Sequence, residues 1–88
     1  MASPQRLLLQ VLLHGLANAV RGNDEAAADR YHRRISLIAG HFETNAPVND
    51  ALERLLSASG LWLATNVAER YAAGQQVLEL IERVSQLL

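Results

Sequence analysis

The residues able to do chemistry are few and scattered along this chain of 88 residues. Histidines stand at positions 14, 32 and 41, with no metal-ligand spacing between them. There is no cysteine, which removes thiolate metal sites and disulfides together. Serine, threonine and histidine positions assemble no nucleophile–base arrangement. The five glycines, at 15, 22, 40, 60 and 74, are too dispersed to form a phosphate-cradling loop. No enzyme, cofactor or metal is expected, and no residue is assigned a catalytic role. His14 falls on a polar helix strip, where it is simply solvated. His41 and Glu43 fall at a helix end, where a cation would suit the helix dipole.

The strongest concentration of charge is Arg30, Arg33 and Arg34 around His32. Three guanidiniums can grip phosphates, yet Glu25 and Asp29 share their helix and no aromatic side chains interleave them. The expected role is a solvated polar face. A helix-turn-helix pivoting on Gly60, between residues 51–58 and 61–71, is the sharper nucleic-acid idea. It fails because Leu61, Trp62 and Leu63 would stand where a recognition helix offers polar groups to bases. With a formal net charge of −1, nothing draws the whole chain to polyanions. The pairs Asp29–Arg33, Asp50–Arg54 and Glu79–Arg83 have i, i+4 spacing and support helix surfaces.

These residues are carried by helices. Half of the chain is hydrophobic but only four residues are Phe, Trp or Tyr, so the apolar material is Leu, Ala and Val, which favours helices over a sheet. A chain this short, without staples, commonly gains stability by associating. Period and punctuation place helices at about 4–21, 24–42, 47–58 and 61–87, the last two possible as one long helix. Ser3 and Pro4 suit the first helix start, and Gly22-Asn23 ends that helix. Asp24 and Glu25 suit the positive end of the second. Glu43–Pro47 is the one clear loop, and Ser57–Gly60 is the expected break in the long C-terminal segment. Residues 1–88 are expected to form one all-α domain, a small antiparallel bundle of three or four helices that is oligomeric.

Two features do not fit an ordinary amphipathic bundle. The second helix shows one apolar arc of roughly 120°, but on the first the apolar residues from Leu8 to Val20 spread over roughly 240°. Only Gln10, His14, Asn18 and Arg21 interrupt them. Such a helix is either central in its own bundle or buried against a second molecule. Leu9, Leu12 and Leu16 lie mid-arc and are expected in the core. Leu8 and Val11 form one flank and Leu13 the other, and at least one flank is expected to touch a partner. The second feature lies in the long C-terminal segment, where Asn66, Glu69 and Arg70 land on the face that carries Trp62 and Val77. Burying Arg70 unpartnered would be costly. The segment bends there, or the polar group marks the end of the bundle, or it is an interhelical contact that sets register.

The layout resembles the FliT-type flagellar export chaperones. The similarity is carried by the first helix, the turn Val20-Arg21-Gly22-Asn23-Asp24, the acidic-to-Arg second helix from Ala28 to Ile35, Pro47 and the long helical C-terminal stretch. That resemblance implies a helical, cytoplasmic, non-enzymatic protein that binds export substrates on apolar helix faces. His32-Arg33-Arg34-Ile35 followed by Phe42 is also similar to the TraM-type antiactivators, small helical dimers that sequester a transcription factor.

The expected function is a protein-binding chaperone or adaptor that holds an amphipathic helix of a client. The alternative is a regulatory protein that controls transcription. Leu8, Val11, Leu13, Asn66 and Arg70 are the candidate partner-binding residues. The expected partner is another protein, a second copy of the chain, or both, with neither nucleic acid nor membrane involved. Arg6 and the apolar run from Leu7 to Leu13 loosely imitate a signal peptide, but Gln10 interrupts the run and His14 ends it. A cytoplasmic location is therefore expected. The use of Arg for every basic residue, with abundant Ala, suggests a GC-rich bacterial genome.

Overall fold

A computed structural model describes residues 4–39 and 46–88, and these form helices throughout. Helix α1 is Pro4–Arg21, α2 is Glu25–Ala39, α3 is Ala46–Ala64 and α4 is Arg70–Leu87, with a 3-10 turn at Val67–Glu69 leading into α4. No strand occurs among the described residues, which form four α-helices, so the fold class is all-α. The expected Ser3 cap, the end of the second helix at Phe42 and the loop residues Glu43, Thr44 and Asn45 lie outside the described residues.

The α1–α2 turn forms where Gly22-Asn23 predicts it. Asn23 takes the left-handed conformation at φ 53°, the region that asparagine tolerates best after glycine. The turn closes with Gly22 N–H donating to Asn18 O at 3.0 Å and Asp24 N–H donating to Ala19 O at 2.8 Å. These bonds occupy carbonyls that the end of α1 would otherwise leave open. Asp24 then caps α2, its Oδ1 accepting from Ala27 N–H at 3.1 Å.

The break in the C-terminal segment falls at Thr65–Asn66 and not at Ser57–Gly60. Helix α3 runs straight through Gly60, and the reason is local. Ser59 Oγ donates back to Leu56 O at 3.2 Å and also meets His32 Nδ1 of α2. A side chain on Gly60 would start at ordinary contact distance, 3.8 Å, from the His32 ring, and the Ser59–His32 bond marks a helix crossing and not a helix end.

Helix α1 packs on α2 and α4, while α3 also packs on α2 and α4; across the diagonals the backbones stand apart, and side chains meet in the core and at the Glu25–Arg70 pair. Leu9, Leu13 and Leu16 of α1 meet Ile35 of α2, Leu52, Leu55 and Trp62 of α3, and Val77 and Val84 of α4 in one core. The expected apolar arcs of the second and last helices face that core: Ala28 and Ile35 are buried on one, Val77, Ile81 and Val84 on the other.

Gly15 shows how closely α1 and α2 approach, since a Cβ there would lie 2.4 Å from the Tyr31 ring. The helix-propensity gain of alanine over glycine, about 1 kcal/mol, is therefore blocked by one ring. Gly15→Ala is expected to deliver that gain only when Tyr31→Ala is also present. Urea denaturation of the four proteins of this double-mutant cycle measures the coupling.

Candidate functional site

The wide apolar arc of α1 divides into a closed part and an open one. Leu9, Leu12, Leu13, Leu16, Ala17, Ala19 and Val20 are buried. Leu7, Leu8 and Val11 remain 53%, 50% and 65% exposed. Of the two expected flanks, Leu8 and Val11 face solvent while Leu13, at 1%, belongs to the core. The assignment of Leu13 to a partner surface is thus corrected: α1 lies between α2 and α4, and their two contacts enclose that side. Leu7 was missed, although it stands four residues before Val11 and shares its face. Leu37 of α2, 70% exposed, is another large apolar residue whose place on a polar helix face gave no signal.

The basic group on α2 also divides. Arg33 pairs with Asp29 of its own helix at 3.1 Å, with both side chains well exposed. Arg30 and Arg34 flank Tyr31 around a shallow depression, and Tyr31 in turn covers Gly15 of α1. Two guanidiniums therefore border the α1–α2 seam, beside a helix that exposes three apolar side chains. Changing Arg30, Arg33 and Arg34 to Gln is expected to alter stability by no more than about 0.5 kcal/mol per site, because all three are exposed. Thermal or urea unfolding of the triple variant checks this.

Asn66 and Arg70 come together at the corner between α3 and α4. Asn66 is exposed, and its Oδ1 accepts from Ala68 N–H at 3.4 Å, capping the 3-10 turn. Arg70 is 7% exposed and supplies donors to the end of α3. Its Nε donates to Trp62 O at 3.2 Å and Thr65 O at 2.9 Å, and Nη2 donates to Leu63 O at 3.4 Å. Nη1 reaches Asn23 Oδ1 at 3.3 Å, and Nη2 reaches Glu25 Oε2 at 3.3 Å. The guanidinium also lies 4.7 Å from the centre of the Trp62 ring. Helix ends leave carbonyls without partners, and Arg70 fills that need while tying both helices to the α1–α2 turn. A partner-binding role for Arg70 is thus corrected to an internal one. Beside it, Val20, Trp62, Val67, Tyr71, Gly74 and Leu78 line a cavity of about 320 Å³.

One nucleophile–base contact exists that the sequence spacing did not suggest: Ser59 Oγ and His32 Nδ1 are hydrogen-bonded. Ser59 is 1% exposed in the middle of α3. Leu56 O lies 3.2 Å from Ser59 Oγ as a second partner, and which atom carries the proton between Ser59 and His32 Nδ1 follows the ring tautomer. The contact pins α2 to α3. A broad groove of about 940 Å³ between α3 and α4 is lined by both signs of charge, including Glu53, Arg54, Glu79 and Arg83. Among the described residues no cluster of His, Asp or Glu has the arrangement of a metal site. No helix there is long and apolar enough to cross a membrane. Comparison with protein-family models, curated proteins and solved structures finds no match.

Proposed function

We propose that this chain is a non-catalytic protein-binding module that holds an amphipathic helix of a client against α1. The observation that carries this reading is the exposed group Leu7, Leu8 and Val11 on a helix whose remaining large apolar residues are all in the core. Apolar anchors at i, i+1 and i+4 suit the hydrophobic stripe of a helix laid alongside. Arg30 and Arg34, on the adjoining seam, favour a client helix with an acidic edge. We read the bundle as antiparallel from helix to helix. Two contacts support this, Arg6 Nη1 with Leu88 O and His32 with Ser59, while Glu25 with Arg70 puts the starts of α2 and α4 at one end, as alternation requires. The module is of chaperone or adaptor type and cytoplasmic, in line with the resemblance to FliT-type export chaperones. Sequestering a transcriptional regulator on the same face is the second reading, favoured by the two seam arginines.

The test uses a synthetic amphipathic peptide with a leucine stripe and a glutamate edge, measured by calorimetry. Val11→Glu and Leu8→Glu are each expected to weaken binding at least about tenfold, the effect of losing one buried apolar anchor. Circular dichroism should show unchanged helix content, since neither residue is in the core. If both variants bind the peptide as the parent does, the face is misassigned. A titration of duplex DNA with added salt addresses direct nucleic-acid contact, which would weaken steeply as salt rises.

A further inference from the structure

We infer that α3 and α4 open at Asn66 into one continuous helix, through which this chain exchanges α4 with a second copy of itself. The corner that separates them is conformationally slight. Asn66 has φ −58°, already helical, and departs from a helix only in ψ, at 139°. Beyond it Glu69 is at φ −107°, ψ 2° and Arg70 at φ −70°, ψ −18°, both within modest rotations of a helix. Thr65 already makes helix-like bonds, its Oγ1 donating to Leu61 O and its N–H to Trp62 O. Residues 65–69 are Thr-Asn-Val-Ala-Glu, with neither Pro nor Gly to forbid a helix. Rotation about Asn66 ψ, with smaller adjustments through Glu69, therefore joins residues 46–87 into a single rod.

Such a rod would be about 63 Å long at 1.5 Å per residue, well beyond the 41 Å longest dimension of the bundle. Helix α4 must then leave its own core, and Gly74, Val77, Ile81 and Val84 need another surface. The surface that fits them is the one they left, which an identical opened chain presents unfilled. Exchange of one element between copies restores every core contact and leaves only the hinge different. In the straight form Asn66, Glu69 and Arg70 fall on the same face as Trp62 and Val77. There they meet their own counterparts at the centre of the pair, as a polar layer that sets register.

The balance between the forms rests on the corner. In the closed form Arg70 satisfies the carbonyls of Trp62, Leu63 and Thr65. In the straight form backbone N–H groups of the following turn satisfy them instead. Removing the guanidinium therefore penalises the closed form selectively.

Sedimentation equilibrium from micromolar to millimolar protein, after unfolding and refolding at high concentration, tests this. The parent chain should show a concentration-dependent species of twice 9.7 kDa. Arg70→Met and Asn66→Ala should each raise its share about tenfold at a fixed concentration, since each removes hydrogen bonds made only by the closed corner. A short Gly-Ser insertion after Thr65 should abolish the pair with helix content retained, because a slack hinge allows α4 to fold back. Val11→Glu should leave the pair intact, so this inference and the client-binding face fail separately. A chain that stays monomeric in the parent, Arg70→Met and Asn66→Ala alike overturns the exchange. So does a pair that survives the insertion.

Discussion

Replacing Leu9, Leu12 or Leu16 with alanine is expected to destabilise the protein by about 2–5 kcal/mol each. The three side chains are 0%, 4% and 1% exposed, and they occupy the face of α1 turned toward the other helices. Truncation removes apolar contact and leaves a cavity that a close-packed interior fills only in part. A domain of this size holds on the order of 5–10 kcal/mol in total, so one such change takes a large share. Leu13→Ala belongs with them, since it too is buried. Val11→Ala, on the open side of the same helix, is expected to stay within about 0.5 kcal/mol. Urea denaturation with unchanged m-values across this series draws the line between core and open face one residue at a time.

Arg70→Met should cost about 2–3 kcal/mol at low protein concentration, an unusually large effect for a charged residue. Methionine keeps an unbranched apolar side chain but removes the guanidinium over the Trp62 ring and every donor that caps α3. The ion pair with Glu25 contributes little of this, because that carboxylate is 60% exposed and returns to water. Arg70→Lys is expected to recover only a minor part. An ammonium cannot reach carbonyls at three positions and an asparagine from one planar group. The comparison of Met and Lys variants by urea midpoint separates the geometry of the fork from its charge. Equal stability of the lysine variant and the parent would show that charge alone suffices.

Most of the helical layout was readable from local chemistry. Gly22-Asn23-Asp24 is a turn whose residues act within five positions of one another, so its signal is complete in the sequence. The apolar periods of the second and last helices reported their buried faces correctly for the same reason. The misplaced break at Ser57–Gly60 has a different origin. Small residues that stop a helix in isolation also occur where two helices cross, and only the bond of Ser59 to His32 shows which use applies. The true corner did leave a trace, since Asn66, Glu69 and Arg70 interrupt the apolar face where the chain bends. What that trace meant was hidden, because the partners of Arg70 at Asn23 and Glu25 lie more than forty residues away. The width of the arc on α1 was likewise visible. Which flank stays open depends on where α2 and α4 settle, and no property of α1 alone decides that.

The neighbour relations among the helices also bear on how quickly the chain finds its structure. Each helix rests on the one that follows it in sequence, and among the described residues the meeting of α1 with α4 is the one backbone packing that joins distant parts of the chain. Topologies dominated by such local pairings collapse with little loss of chain freedom and fold in microseconds to milliseconds. The late step is then the closure of α4 onto α1, which also brings Arg70 to Asn23. Until that closure the apolar side of α4 is uncovered. The corner that ends α3 thus governs how long this chain spends as a partly folded, adhesive species.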